Sequence, residues 1–449
     1  MGYDVGLGLF GFVFWRRVMA DETRRTFLKR TGLGATAVGL GAASLRAAGA
    51  NERVTVGVLG CSRGRRVGEV LSKQGAKIAY VCDPDEGRCK QAQKATGADR
   101  TVADMRRIFD DKAVDAVVVG TPDHWHGPAS ILACEAGKHV YVEKPCSHNI
   151  REGRLMIEAA RRYKRVMQVG SQSRSTSVLM RGIEKIREGA IGTVLVAKAW
   201  NSQRRANIGH KKPSQPPAGF DYDLWVGPAE MRPFQSNCHH YTWHWWYDFG
   251  TGDAGNDGVH ELDIAVWGLG ATTHPSVVSG HGSKLYFDDD QQFPDTQYVT
   301  FEYPGDGGFG QKRLIAYEHR IWSPYVQEGL ENGNAFYGTK GCMILGKGSG
   351  WKLFGEKNKL VAEEKGSFSV EEHVRDFLSA IKSGKRPNAD IEIGHLAGTL
   401  VHLGNIVARL GRQGVSFDPK GERIVGDAEA DALVRRTYRA GHWAIPKGV

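Results

Sequence analysis

Beyond residue 50 this 449-residue sequence has no run approaching the roughly 20 consecutive apolar residues that a membrane-spanning helix needs, so none is expected there. It also lacks internal repeats and low-complexity linkers, which excludes a repeat architecture. Charge of one sign is scarce. The formal net charge is +10, but residues 1–50 carry seven Lys/Arg against three Asp/Glu, and the remaining excess is spread among charges of mixed sign. A nucleic-acid-binding face is therefore not expected. Cysteine is sparse and odd in number: Cys61, Cys82, Cys89, Cys134, Cys146, Cys238 and Cys342 show no paired metal-ligand spacing. They read as small buried apolar residues. What the sequence does have is length, enough for two domains and an appendage.

The appendage is residues 1–50. Thr23-Arg24-Arg25-Thr26-Phe27-Leu28-Lys29 precedes a weakly apolar Gly/Ala-rich stretch at 31–45 and then Ala48-Gly49-Ala50. A charged start, a modest hydrophobic region and a small-residue cleavage site make a twin-arginine export signal, with Met19 read as the true start. The twin-arginine machinery is thus an expected partner, and the periplasm the expected location. No Cys follows the apolar stretch, so no lipid anchor is expected there.

From 53 to 170, nearly continuous apolar runs at 54–59, 77–82, 114–119, 139–143 and 166–169 alternate with amphipathic stretches at 65–74, 85–96, 126–136 and 150–163. Continuous runs are the mark of parallel strands buried on both faces, so residues 51–172 are expected to form a doubly wound α/β (Rossmann) domain. Residues 173–449 read differently. A helix at 177–188 and a segment at 193–200 lead into an aromatic, Pro/Gly-rich region and a helix at 258–269. Alternating segments follow at 277–285, 297–303, 311–318, 334–338 and 342–345, with late helices at 370–382 and 393–410. This predicts an α+β domain built on a large, mostly antiparallel sheet.

The first strand ends in Gly57-Val58-Leu59-Gly60-Cys61-Ser62-Arg63-Gly64. Dinucleotide folds need glycines here, because the turn is tight and its N–H groups meet the pyrophosphate at a helix N-terminus. The fingerprint is degraded: Gly60 fits, Ser62 and Arg65 stand where glycines belong, and Gly64 is one place early. Asp83 follows the second strand, about 20 residues beyond the turn, where a carboxylate accepts both ribose hydroxyls of NAD and would repel the 2′-phosphate of NADP.

Three further segments carry a resemblance: Thr121-Pro122-Asp123-His124-Trp125-His126, Glu143-Lys144-Pro145 and Gly258-Val259-His260-Glu261-Leu262-Asp263. In this order and spacing they resemble the Gfo/Idh/MocA oxidoreductases, the glucose–fructose oxidoreductase and inositol dehydrogenase family. The resemblance covers nearly everything from Arg53 onward. It implies a Rossmann domain, a C-terminal open-sheet domain that carries substrate, a tightly held NAD, and a homo-oligomer, dimer or tetramer. It places Gly60, Ser62, Arg63, Gly64, Asp83, Thr121, Pro122, His124, His126, Glu143 and Lys144 at the cofactor. Lys144 would lie beside the nicotinamide, and His260 matches the catalytic histidine. The family commonly has Asp four residues before that histidine. Here Asn256 stands there, and an amide hydrogen-bonds a hydroxyl without relaying its proton.

The residues themselves support alcohol oxidation, which needs a base for the hydroxyl proton and a cation for the developing alkoxide. His260 suits the first task and Lys144 the second. Asp257 and Asp263, three residues to either side of His260 on a helix, are candidates to orient its ring. The aromatic run from Cys238 to Tyr247 suggests a platform for a sugar, with Trp243 and Trp245 in contact, or alternatively a core or interface segment. His239, His240 and His244 lack the partner set of a metal site, and no metal is expected. Gln172, Arg174, Tyr317 and His319 are weaker substrate candidates, and Asp257 belongs with them. The expected function is NAD-dependent oxidation of a sugar, glycoside or cyclitol. Two alternatives stay open: an NAD-dependent glycosidase or epimerase using transient oxidation of a ring carbon, and a non-catalytic binding protein.

Overall fold

A computed structural model describes residues 53–304 and 312–449; the twin-arginine segment lies outside the described residues. The chain begins with β1 (Thr55–Leu59), α1 (Arg63–Lys73), β2 (Lys77–Cys82), α2 (Glu86–Thr96), β3 (Arg100–Val102), α3 (Arg106–Asp110), β4 (Ala116–Val119), α4 (Asp123–Glu135), β5 (His139–Val142), α5 (Ile150–Arg162) and β6 (Met167–Val169). The six strands pair in parallel in the order β3-β2-β1-β4-β5-β6. The order reverses between β1 and β4, and ligands bind at such a switch, beyond the carboxyl ends of the strands. β4 reads Ala-Val-Val-Val and is buried throughout, as a strand covered on both faces must be.

The second half runs through α6 (Ser177–Arg187), β7 (Val194–Asn201), α7 (Tyr222–Val226), α8 (Val259–Leu269), β8 (Val277–Ser283), β9 (Thr296–Pro304), β10 (Lys312–Arg320), β11 (Asn332–Gly338), β12 (Cys342–Gly346), β13 (Gly350–Phe354), β14 (Leu360–Glu364), α9 (Val370–Ser383), α10 (Ile391–Arg409), β15 (Gly414–Asp418), β16 (Arg423–Val425) and α11 (Ala428–Ala432). Ten strands form one sheet, ordered β14-β13-β12-β11-β7-β10-β9-β8-β15-β16. Only β7 and β10 pair in parallel; the other neighbours are antiparallel. One face, with Ala197, Ala199, Phe301, Ile315 and Phe336, packs on Leu179, Leu262, Val266, Leu400 and Leu403 of α6, α8 and α10. The opposite face carries Tyr298 (47% exposed), Tyr337 (42%) and the Lys198–Glu318 pair. α10 is apolar enough to cross a membrane but is a core helix here, buried against that sheet.

Two late segments return to the Rossmann layer. Val374, Phe377 and Ala380 of α9 join Val67 and Leu71 of α1 beneath the parallel sheet. Beyond α11, Ala444 joins the core between that sheet and the α4–α5 layer. The expected break at residue 172 therefore separates the two sheets but not the two packing layers. The strand expected to reach 285 stops at Ser283, because the Asp295 carboxylate takes the N–H groups of Leu285, Tyr286 and Phe287 and turns the chain. All seven cysteines are free, six of them buried.

Gly60 adopts φ +83°, and a Cβ there would collide with the Gly120 carbonyl, so the β1 turn and the end of β4 meet backbone to backbone. Gly60→Ala meets both a strained conformation and that carbonyl. It is expected to cost at least about 2 kcal/mol, read as a lower urea midpoint at unchanged m-value.

Candidate active site

A cavity of about 570 Å³ runs along the carboxyl ends of the parallel strands and under the second sheet. At one end lie Gly60, Cys61, Ser62, Asp83, Thr121 and Pro122; at the other, Lys144, Asn256, Asp257, His260 and Lys347. Ser62 has φ −98°, an ordinary value for any residue, so no glycine is required there. The close contact falls instead to Gly64, whose N would lie 2.6 Å from a Cβ on Gly120. Gly64 thus packs the start of α1 against the end of β4 and does not itself line the cavity. α1 begins without a capping side chain or an acidic first turn, leaving its N–H groups open to an anion.

Asp83 accepts the N–H of Cys61 at 2.8 Å through one oxygen and that of Asp85 at 3.0 Å through the other. Burial raises its pKa while these two bonds lower it. Each oxygen keeps a lone pair for a ribose hydroxyl. The buried Thr121 hydroxyl has no protein partner. An open helix N-terminus, a ribose-ready carboxylate and an unpartnered hydroxyl along one cleft fit a dinucleotide.

His126 sits between the Thr121 and Pro145 carbonyls at 3.0 and 2.6 Å, bracing two strand ends against each other. His124 is not at the cleft. Both its ring nitrogens face carbonyls of the second domain, Trp225 at 3.0 Å and Phe249 at 3.4 Å, and burial drives its pKa down to about 3. Its expected cofactor role is replaced by domain packing. Arg63 reaches from α1 to Glu143 at the end of β5, 3.1 Å away, so the carboxylate preceding Lys144 is neutralised within the sheet.

Lys144 precedes a cis proline, and its ammonium donates to the backbone carbonyl of Asn256. Burial lowers its pKa; Glu143, Asp257 and Asp123 oppose that. Asn256 lies in a π-helical turn, Ala254–Gly258, at the start of α8, and its amide donates to Asp253 at 3.0 Å. The carboxylate absent from position 256 is therefore present three residues earlier, where it also holds Asn201 and Arg205, each at 2.8 Å. His260 is held neutral, first by burial and then by the flanking charges of Lys347 and Lys144.

The two carboxylates expected to orient His260 have other partners. Asp263 is gripped by Arg174 through both oxygens at 2.9–3.1 Å, and the guanidinium also lies 5.0 Å over Trp267. Arg174 is thus a buried structural cation and not a substrate contact. Asp257 accepts from Lys347 at 2.8 Å and Asn332 at 2.6 Å, and Lys347 chiefly offsets the burial that would protonate it. Gln172 lines the cavity and donates to Tyr141 at 3.0 Å.

Trp243 lines the cavity with its ring stacked 3.6 Å from that of His244. Trp245 is 2% exposed and packs with Phe287 and Ile321, which removes it from the substrate set. His240 pairs with Asp85 at 2.9 Å and its ring lies 4.2 Å from that of His239, which sits between Phe220 and Phe234. Tyr317 and His319 bond each other at 3.2 Å beneath the π turn, outside the cavity lining. Elsewhere, His274, His395 and Glu422 cluster, but both imidazoles meet one carboxylate oxygen at 2.9 Å and Arg154 bonds the same group. The cluster fastens the last hairpin to α10 and α5.

Among the charged residues around Lys144 and His260, Asp123, Arg205, Asp253 and Lys347 escaped the sequence reading. Asp123 bonds Thr251 at 2.6 Å, and burial pushes it up to about 7 against the pull of Lys144. Only Asp123, inside the Thr-Pro-Asp segment, stood in a motif that could have flagged it.

A doubly wound nucleotide domain whose cleft ends in a desolvated lysine and a neutral histidine defines a dinucleotide-dependent oxidoreductase. The chain belongs to the Gfo/Idh/MocA family. Its profile for the "Oxidoreductase family, NAD-binding Rossmann fold" matches residues 54–171, and that for the C-terminal alpha/beta domain matches 196–304 and 356–445. Scyllo-inositol 2-dehydrogenase (NAD(+)) of Bacillus subtilis (strain 168) is 26% identical over 71% of this chain and 82% of its own length. Levoglucosan dehydrogenase of Pseudarthrobacter phenanthrenivorans is 34% identical over a shorter stretch, 23% of this chain and 27% of that protein. A levoglucosan dehydrogenase structure in complex with NADH and levoglucosan has the same fold, with TM-score 0.62 at 17% identity, covering 81% of this chain and 99% of the other.

Lys347→Met removes a cation that resists protonation of His260. The imidazole is expected to titrate at higher pH, and the acid limb of the activity profile should shift to higher pH with it. Carbon-13 NMR of labelled histidine beside a pH–rate profile checks this, and an unmoved limb contradicts the assignment.

Proposed function

We propose that the protein oxidises a secondary alcohol of an uncharged sugar, glycoside or cyclitol, with Lys144 and His260 as the catalytic residues. The observation that carries this is the meeting of the two groups, from the end of β5 and the start of α8, in one cavity with the nucleotide cleft. Bound NAD⁺ supplies the hydride acceptor. Gly60, Ser62, Arg63, Asp83, Thr121 and Pro122 would hold it, with Glu143 steadying Lys144.

With one N–H committed to the Asn256 carbonyl, the Lys144 ammonium directs another at the substrate hydroxyl oxygen and stabilises negative charge as it develops there. Neutral His260 takes the hydroxyl proton. Asn256 and Gln172 offer amides to neighbouring hydroxyls, and Trp243 an aromatic face to the ring. The uncharged substrate follows from pairing: Arg205 is held by Asp253, and Lys347 by Asp257 and Glu261, so neither cation is free for a carboxylate or phosphate. Names borne by relatives, scyllo-inositol and levoglucosan dehydrogenases, point to the same class.

The protein is also proposed to leave the cytoplasm folded, through the twin-arginine route, with its nucleotide already bound. Its open sheet face, with Tyr298 and Tyr337 exposed, is proposed to pair with a second copy. Sedimentation should then report a dimer or tetramer, and Tyr298→Glu should shift it towards monomer.

Lys144→Met is expected to lower kcat by about 10²–10⁴ with nucleotide still bound, and His260→Ala to act similarly. The check is stopped-flow NADH absorbance together with product analysis. A keto product without release of an aglycone supports the proposal. Unchanged turnover in Lys144→Met, or net hydrolysis with no redox change, overturns it.

A further inference from the structure

Residues 435–449 leave the second sheet and cross the Rossmann layer, and hydrogen bonds and ion pairs fasten them towards both ends. Val434, at the root, accepts the Arg151 N–H at 3.1 Å. Arg436 pairs with Glu152 of α5 at 2.8 Å and donates to the His124 carbonyl at 2.7 Å, while Tyr438 donates to the same Glu152 oxygen at 2.6 Å. Arg439 donates its N–H to the Pro228 carbonyl at 2.9 Å and pairs with Asp223 of α7 at 2.7 Å. At the far end, Arg151 donates to the Gly448 carbonyl at 2.8 Å. The ties fall on both sides of one side chain, Trp443.

Trp443 is part of the cavity wall. Its ring lies 5.7 Å from that of Trp125 and 4.7 Å beneath the Arg106 guanidinium. The wall beside it is made of Ala103, Met105 and Pro122, which follow β3 and β4, and of Leu224 and Trp225 from α7. In a doubly wound nucleotide fold, the half built on β1 to β3 takes the adenosine. The same end is roofed from the second domain: the backbone N–H of Glu86 donates to the Gly219 carbonyl at 3.1 Å, that of Asp221 to the Pro84 carbonyl at 2.9 Å, and His240 meets Asp85 at 2.9 Å. Through Arg439 and Asp223, the roof and the terminal segment are tied to each other.

We propose that residues 435–449 are a clasp over the adenine end of the dinucleotide, with Trp443 as its wall, so that the cofactor leaves only when the clasp lifts. This rests on the NAD-binding assignment and adds a retention element drawn from the segment that follows α11. The apolar wall suits a flat base, and the ion pairs that fasten it lie outside the subsite, where they hold the indole without competing for the ligand.

The test uses the full-length protein loaded with NADH. Dissociation is followed by loss of NADH fluorescence on chasing with excess NAD⁺, and ADP-ribose and nicotinamide mononucleotide affinities are measured by calorimetry. In Trp443→Ala, NADH release should accelerate by about tenfold or more. ADP-ribose should weaken in parallel, nicotinamide mononucleotide should not change, and Trp443→Phe should restore most of the effect. Arg439→Ala unpins the segment while leaving the indole intact, and it serves should Trp443→Ala fail to fold by circular dichroism; it should also speed release. Unchanged release and unchanged ADP-ribose affinity in a folded variant overturn the clasp while leaving the cofactor assignment standing. Wild-type protein that carries no nucleotide as purified and takes up neither NADH nor ADP-ribose overturns both.

Discussion

The ammonium of Lys144 sits where the second sheet closes off the ends of the first, and a desolvated cation there must find oxygen. It finds the carbonyl of Asn256, on the other domain. That contact joins the strand end bearing the lysine to the helix start bearing His260. Much of the surrounding structure serves it. Arg63 neutralises Glu143 beside it, His126 braces Thr121 against Pro145, and the π turn presents the Asn256 carbonyl towards it. The turn is itself shaped by contact, since a Cβ on Gly258 would strike the Tyr317 hydroxyl beneath it.

Charge in the substrate half is organised around the same point. Asp253 and Asp257 are each occupied by a cation, and Glu261, pushed up to about 8 by burial, shares Lys347 with Asp257. The result is a pocket rich in hydrogen-bonding groups with little uncompensated charge. That environment lowers the proton affinity of both Lys144 and His260, and so favours a lysine poised to stabilise an alkoxide beside an imidazole free to accept a proton. Asn256 in place of a carboxylate fits this balance. A further anion beside Lys144 would pull its proton affinity back up.

Much of the architecture was legible because burial on both faces leaves continuous apolar runs. The strands at 77–82 and 139–142 and the helices at 150–162 and 370–383 fall where periodicity put them. The short strands at the two ends of the large sheet, β13 and β14 at one and β15 and β16 at the other, did not announce themselves. A strand such as Leu360–Glu364, with two glutamates and exposed Leu360 and Val361, has no apolar alternation to read. At the site, motif residues were legible and their partners were not. Lys347 comes from the β12–β13 turn and Arg205 from a loop, and nothing local to either names Asp257 or Asp253. Trp245 and Arg174 misled for a related reason: an indole beside a sugar platform and one in a core, or a guanidinium on substrate and one on Asp263, look alike until the partner is known.

Cofactor retention and folding draw on the same contacts. A ligand that binds only the folded chain stabilises it by RT times the logarithm of one plus the ratio of its free concentration to Kd, and a clasp that slows release without slowing binding lowers Kd and so strengthens that term where free nucleotide is scarce. Glu152 makes the coupling concrete. It is a buried carboxylate on α5 that would be costly alone, and its charge is met by Arg436 and Tyr438 of the terminal segment. Lifting the clasp would therefore expose the adenine end and strand a charge inside the Rossmann layer in one movement. An enzyme proposed to act where its nucleotide is not made would need that penalty, because an exchangeable cofactor would be lost after export and a trapped one stays to be recycled by successive substrates.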